Sequence, residues 1–282
     1  MNVALHRAGR STAVRVIAWR EAKAAMRGLG GYVALSAALL AAGWVLSIDV
    51  RALMAAGVLV VAHPFGLPLA AALLVLASFL AVLAAMSAAR ERESGTLEVL
   101  FYAPVDELSY VLGKVGGLLI AYIAGLPLLL ASLALLSLMT GFAMTPMVLA
   151  SLAFSIVPAA EIISFGVLLS VGTRRVRSAV LLLVGVSAIL LGVTMAYRVV
   201  LLVPISDPSS PVLALRDALE ALNLALSWVS PFASLERIVD GAVSGAWRVA
   251  LLNLSAAIAC TAAMIGLAAY WLRHVGVHRR AE

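Results

Sequence analysis

Several long apolar runs without any charged residue limit what this chain can fold into. Residues 28–48 and 52–89 carry no lysine, arginine, aspartate or glutamate, and residues 115–172 carry only Glu161. A helix needs about 20 apolar residues to cross the roughly 30 Å hydrocarbon core of a membrane. Hydrophobic residues make up 64% of the chain and charged residues 12%, whereas soluble domains are about half apolar and about a quarter charged. The sequence therefore predicts an all-α integral membrane protein.

Turn-forming residues divide these runs into six predicted spans. The run at 52–89 is too long for one span and short for two, and the sequence HPFGLP at 63–68 interrupts it. Because proline removes a helix donor and restricts the preceding residue, we expect a partly embedded loop there. The sequence TGFAMTP at 140–146 divides the run at 115–172 into spans three and four. The six predicted spans cover about 28–48, 69–89, the two parts of 115–172, 178–200 and 248–272.

The distribution of basic residues predicts the orientation of these spans. Six spans place both termini on the same side of the membrane. Fifteen of the 20 lysine and arginine residues fall on that side and five on the other. Basic residues are enriched in cytoplasmic loops, so we expect both termini to be cytoplasmic, in a multi-pass protein of the cytoplasmic membrane.

The densest cluster of charge lies at 90–114, between the second and third spans, with three basic and five acidic residues. A helix start is indicated by Ser94, Gly95 and Thr96. Glutamates near this start would stabilise the helix, because its first turn carries partial positive charge. A short apolar stripe follows, and Pro104 ends the pattern. The sequence predicts a helix at 92–104 that lies along the membrane face, although an ordinary solvated loop is the simpler alternative.

This segment resembles the region between the second and third spans of the type-2 ATP-binding-cassette exporter permeases. Their pattern is close to E-R-E-x-G-T-L-E-x-L-L-x-x-P-V followed by G-K, and here Phe101 stands at the second leucine position of L-L. In that family the segment is the coupling helix, which docks on an ATPase subunit. The residues that the resemblance assigns to ATPase coupling are Glu91, Arg92, Glu93, Gly95, Thr96, Leu97, Glu98, Leu100 and Pro104.

Two further segments agree with this resemblance. At 12–28 three basic residues, Arg20, Lys23 and Arg27, fall in one narrow sector of a helix and apolar residues cover most of the rest, which predicts an amphipathic helix in the membrane interface. Its candidate interfacial residues are Trp19, Arg20, Lys23 and Arg27. The segment at 201–247 predicts an outer loop with short helices, because it carries charge and a Ser-Pro helix start at 230–231.

The resemblance implies a single permease domain over 1–282 that forms the translocation path of an exporter as a dimer. It implies three partners: an ATPase subunit, a second copy of the permease and membrane lipids. No nucleic-acid partner is expected, because the basic residues set orientation at the membrane. The chain has no G-x-x-x-x-G-K-[ST] motif, so ATP and magnesium would be bound by the ATPase subunit and no cofactor by this chain.

The residues of the spans offer little other chemistry. The four histidines lie near span ends or in tails, so we expect no metal site and no enzymatic activity. Glu161 is the only ionisable residue well inside a predicted span. It is a candidate for the translocation path or a subunit interface, or a neutral side chain hydrogen-bonded within the bundle. Glu161 also supports an alternative function, that of an ion- or proton-coupled secondary transporter. A third possible function is that of a membrane anchor for a larger complex.

Overall fold

The computed structural model describes residues 2–55, 57, 63–97, 105–201 and 211–275. This part of the chain is helical throughout and forms no strand. Its ten helices are α1 (Asn2–Arg27), α2 (Leu29–Ala55), α3 (Gly66–Glu93), α4 (Glu107–Thr140), α5 (Pro146–Phe154), α6 (Ile156–Gly172), α7 (Val176–Leu201), α8 (Pro211–Val229), α9 (Pro231–Val243) and α10 (Trp247–Val275).

Six segments within the described residues are long and apolar enough to cross a membrane, which confirms the all-α fold with six spans. The segments are Leu29–Ala52, Gly66–Glu93, Glu107–Thr140, Pro146–Gly172, Val176–Leu201 and Trp247–His274. The predicted division between spans three and four is also found, because α4 ends at Thr140 and Gly141 takes the left-handed conformation with φ +73°. A residue without a Cβ adopts that conformation at little cost.

The second span begins earlier than the prolines suggest. We expected a loop through residue 68, but α3 starts at Gly66 and contains Pro68 in its first turn. The first N–H groups of a helix have no partner within the helix, so a proline there costs no hydrogen bond. The second span is therefore longer at both ends than the predicted range of 69–89.

The fourth span is interrupted at Ser155, where α5 gives way to α6. Pro158 has no N–H to donate to the carbonyl of Phe154, so the regular ladder breaks one turn before it. The hydroxyl of the fully buried Tyr122 donates to Ser155 Oγ over 2.9 Å, and Ser155 in turn donates to the Leu152 carbonyl. These hydrogen bonds satisfy polar groups that lipid could not.

Small residues let the central helices pack closely. Helix α3 buries a row of alanines, and α6 crosses it at Gly166, where a Cβ atom would lie 2.5 Å from the Ala81 carbonyl oxygen. In membranes, such close approach of backbones is a main source of helix association. Helix α2 packs on α3, α10 packs on α6, and α4 packs on α6 and on α1. Helix α3 therefore lies at the centre of the bundle.

The predicted outer segment contains α8 and α9 in its described part. Helix α9 begins as the sequence indicates, because Ser230 Oγ accepts a hydrogen bond from the Ala233 N–H at 3.3 Å and Pro231 occupies the first helical position. Helix α9 packs against α3, α5, α6 and α10. It thus closes one end of the bundle, at the start of α3.

Candidate functional site

The last turn of α3 consists of four charged residues: the exposed Arg90, followed by the three residues Glu91, Arg92 and Glu93. Successive side chains point about 100° apart around a helix, so the three leave α3 in different directions. Each of them contacts a different part of the bundle. The charged segment of the sequence therefore begins at this end of α3. The opposite end of α3 is the one that α9 closes.

Glu91 joins α3 to α1 and α4. Its Oε1 atom lies 2.8 Å from Lys114 Nζ and 2.5 Å from Arg20 Nη2, and its Oε2 atom accepts a hydrogen bond from the Tyr110 hydroxyl at 2.6 Å. Tyr110 is fully buried. A carboxylate that accepts from three donors on two other helices fixes their relative position at this end of the bundle.

Lys114 is the central cation of this cluster, and its side chain is only 1% exposed. Its ammonium group lies 2.8 Å from Glu21 and 2.8 Å from Glu91, and 5.4 Å from the centre of the Tyr110 ring. A buried charge is costly unless it is paired and hydrogen-bonded. The two cations, Lys114 and Arg20, meet the two carboxylates, so the cluster is balanced in charge.

Two glycines bring α1 close enough to α4 for this cluster to form. A Cβ atom on Gly117 would lie 2.5 Å from the Ala18 carbonyl oxygen, and one on Gly113 would lie 2.8 Å from Ile17. Both distances are far shorter than ordinary contacts, so no other residue fits without moving the helices. The approach places Glu21 of α1 beside Lys114.

Arg92 reaches the end of α6. Its Nη1 atom donates to the Val171 carbonyl at 3.0 Å and to the Thr173 carbonyl at 3.2 Å. The last carbonyls of a helix lack partners within it and carry partial negative charge, so a guanidinium satisfies both their hydrogen bonding and the helix dipole. Nearby, Ser170 Oγ accepts from the backbone N–H of Ala89 at 2.9 Å. These contacts attach α6 to α3.

Glu93 reaches the start of α7. Its Oε2 atom accepts from the backbone N–H of Val176, the first residue of α7, at 3.1 Å. A carboxylate at a helix N-terminus meets unpaired N–H groups and a partial positive charge. The name polar junction is used below for the seven residues that make these contacts: Arg20, Glu21, Glu91, Arg92, Glu93, Tyr110 and Lys114.

The chain turns sharply just after the polar junction. Gly95 has φ +71°, and the hydroxyl of Thr96 donates back to the Glu91 carbonyl at 3.2 Å. We expected a new helix from residue 92. Arg92 and Glu93 instead belong to α3, because α3 continues until the left-handed Gly95 ends it, and helical backbone resumes at Thr96 and the buried Leu97. The remaining predicted coupling residues, Glu98, Leu100 and Pro104, lie outside the described residues.

The candidate interfacial residues of α1 divide into two groups. Trp19 is 62% exposed and Lys23 and Arg27 are exposed, as expected for a helix in the interface. Arg20 instead turns toward Glu91. Burial lowers the pKa of its guanidinium, but the Glu91 and Glu21 carboxylates outweigh that effect and leave the pKa above its ordinary value.

Glu161 lies inside the bundle between α6 and α9 and is only 1% exposed. Ser234 Oγ is 2.5 Å from Glu161 Oε2 and 2.8 Å from the Pro231 carbonyl oxygen. The Ser234 hydroxyl donates to the Glu161 carboxyl, so Glu161 is hydrogen-bonded within the bundle and contacts α9.

Sequence reasoning did not select Glu21, Tyr110 or Lys114 as site residues. Lys114 appeared only as the end of the G-K pattern. Two signals were present: Glu21 is a lone acid among the basic residues of 12–28, and Gly113 and Gly117 are four residues apart, the spacing of small residues at membrane helix contacts.

The six apolar spans define a multi-pass membrane protein. Residues 63–270, more than half of the chain, match a family model described as ABC-2 family transporter protein. The chain therefore belongs to the ABC-2 transporter family and is a membrane permease component of an ABC transporter. The match begins after α1 and α2, so Arg20 and Glu21 lie outside it. A search of curated proteins found no match.

Proposed function

We propose that this chain is the permease subunit of an ATP-driven exporter, that it forms the translocation path as a dimer, and that a separate ATPase subunit drives it. The observation that carries the proposal is the polar junction, which connects the end of α3 to α1, α4, α6 and α7. The segment directly after it carries the pattern that resembles a coupling helix. A force applied to that segment would therefore reach five helices.

In this mechanism ATP and magnesium bind to the ATPase subunit and no cofactor binds to the permease. ATP binding moves the ATPase subunits, which push on the segment from Gly95 to Pro104. The movement passes to α3 through the turn at Gly95 and from α3 to its neighbours through short charged contacts. Charge-assisted hydrogen bonds are shorter and stronger than neutral ones, which suits them to transmit movement. Both termini and the polar junction are cytoplasmic in this proposal, as the basic residues indicate.

The test uses the permease purified in detergent together with an ATPase subunit encoded next to its gene. Glu98→Arg reverses a charge of the proposed coupling helix, and Glu220→Arg makes the same change on the exposed surface of α8. We expect the Glu98→Arg variant to insert normally but to lose stimulation of ATP hydrolysis by the permease. The Glu220→Arg variant should behave as the wild type. Equal stimulation in all three proteins, or no complex with any ATPase subunit, would contradict the proposal.

A further inference from the structure

A cavity of about 570 Å³ opens at the end of the bundle opposite the polar junction. Helix α3 separates the two sites by about 38 Å, the rise of 25 helical residues. The cavity lies between the first residues of α3, the last turns of α7, and α8 and α9. Its volume is within the usual range of roughly 300–1,000 Å³ for sites that bind small molecules. Apolar residues form much of its wall, among them Leu67, Ala70, Leu201, Val239 and Val243.

Four charged side chains line the same cavity, two basic and two acidic. Arg198 of α7 and Glu236 of α9 form an ion pair with each other. Arg237 and Asp240 of α9 form no ion pair with any described residue. Positions three residues apart share a helix face with about 5–6 Å between their Cβ atoms, so these two charges are neighbours that do not neutralise each other.

Arg237 has an unused hydrogen-bond donor. Its Nε atom is buried and has no hydrogen-bond partner among the described residues. Its guanidinium lies over the ring of Trp228, 5.1 Å from the ring centre. Arg237 also lines the cavity, so its guanidinium brings a positive charge to the wall that an anionic group of a ligand would meet. The carboxylate of Asp240 offers the matching acceptor for a cation one turn along the helix.

A ligand that fits both groups carries an anion and an ammonium a few ångströms apart, together with an apolar body. An ethanolamine phosphate head group has this arrangement: the phosphate faces Arg237, and the ammonium donates to Asp240. A quaternary choline ammonium has no N–H to donate to the Asp240 carboxylate. We propose that the cavity binds a phospholipid with an ethanolamine head group, whose acyl chain lies along the apolar wall. This proposal is independent of ATP coupling.

The test is a binding titration of delipidated protein in a maltoside detergent, followed by native mass spectrometry. Three lysophospholipids with the same acyl chain are compared, carrying ethanolamine, choline or glycerol head groups. We expect the ethanolamine form to bind at least about tenfold more tightly, the difference expected from one hydrogen bond to a charged group. Asp240→Asn should remove about that tenfold preference, and Arg237→Gln should weaken binding of all three lysophospholipids, because each of them carries the phosphate.

The control variants are Asp217→Asn and Arg216→Gln on α8, which make the same changes outside the cavity. They should bind as the wild type does. Asp240 is exposed, so Asp240→Asn tests the proposal even if Arg237→Gln does not fold. Equal binding of the three lysophospholipids would show association with the apolar surface alone and overturn the proposal. Tightest binding of the glycerol form, or an unchanged preference in Asp240→Asn, would overturn it as well.

Discussion

The ammonium group of Lys114 lies 2.8 Å from a carboxylate oxygen of Glu91, and the two residues come from different helices at the same end of the bundle. Glu21 of a third helix, α1, is equally close to the same ammonium. A single buried side chain therefore ties together three helices that are far apart in the sequence.

Replacing Lys114 with methionine should destabilise the protein by about 3–5 kcal/mol, because two mostly buried carboxylates would lose their buried cation and share only the half-exposed Arg20. The measurement is thermal unfolding of the purified protein in detergent. Lys23→Met is the matched control, since Lys23 is exposed on α1 and is absent from the cluster. If both variants unfold at the same temperature, Lys114 does not hold the three helices together.

Gly117 and Gly116 offer a second test, of the contact between α1 and α4. Gly117→Ala places a methyl group 2.5 Å from the Ala18 carbonyl oxygen, so we expect a loss of about 1–3 kcal/mol as the helices separate. Gly116→Ala meets nothing within 4 Å and should raise stability by up to about 1 kcal/mol through helix propensity. Unfolding temperatures of the two variants should therefore move in opposite directions. Parallel shifts would show that α1 does not pack tightly on Gly117.

Gly95 and Gly245 form a matched pair for the turn after α3. Both have positive φ, +71° and +74°, and a Cβ atom on either would meet nothing within 4 Å. An alanine should cost about 1–2 kcal/mol at each position, because L-residues disfavour the left-handed conformation. Only Gly95→Ala should also reduce stimulation of ATP hydrolysis in the complex with the ATPase subunit. Equal stimulation of ATP hydrolysis in the two variants would show that the turn at Gly95 takes no part in coupling.

Glu161→Gln tests the alternative function as a proton-coupled transporter. The side-chain oxygen of a glutamine can still accept a hydrogen bond from the Ser234 hydroxyl, so we expect stability to change by less than about 1 kcal/mol. Transport by reconstituted vesicles should persist, because the proposed mechanism takes its energy from ATP. Loss of transport with unchanged unfolding would favour a coupling role for Glu161. Glu161→Leu, which removes the hydrogen bond, should instead lower stability.

The six spans could be predicted because lipid imposes the same requirement on every helix, a long apolar run bounded by charge or turn residues. The start of α3 could not be placed correctly, since a proline at 68 reads equally well as a loop residue and as part of a first helical turn. The contacts of Glu93 also could not be predicted from the sequence. Its partner is a backbone N–H 83 positions away, and every residue except proline carries such a group.

The sequence selected only some of the residues that meet at the end of α3. The charged pattern after the second span pointed to Glu91, Arg92 and Glu93 as a surface for a partner protein. In the structure these side chains contact other helices of the same chain. A pattern of charges indicates that partners exist, but whether they come from the same chain depends on how the helices pack.

Arg92 and Glu93 have a joint consequence for motion. The connection between α6 and α7 is only three residues long, at 173–175, and these adjacent side chains hold its two ends, one through carbonyls and one through an N–H. Spans four and five therefore form a hairpin whose bend is clamped by the second span. Spreading the hairpin at this end would break these hydrogen bonds unless α3 moves with it. The three helices should accordingly move together as a lever whose clamped end lies beside the turn at Gly95.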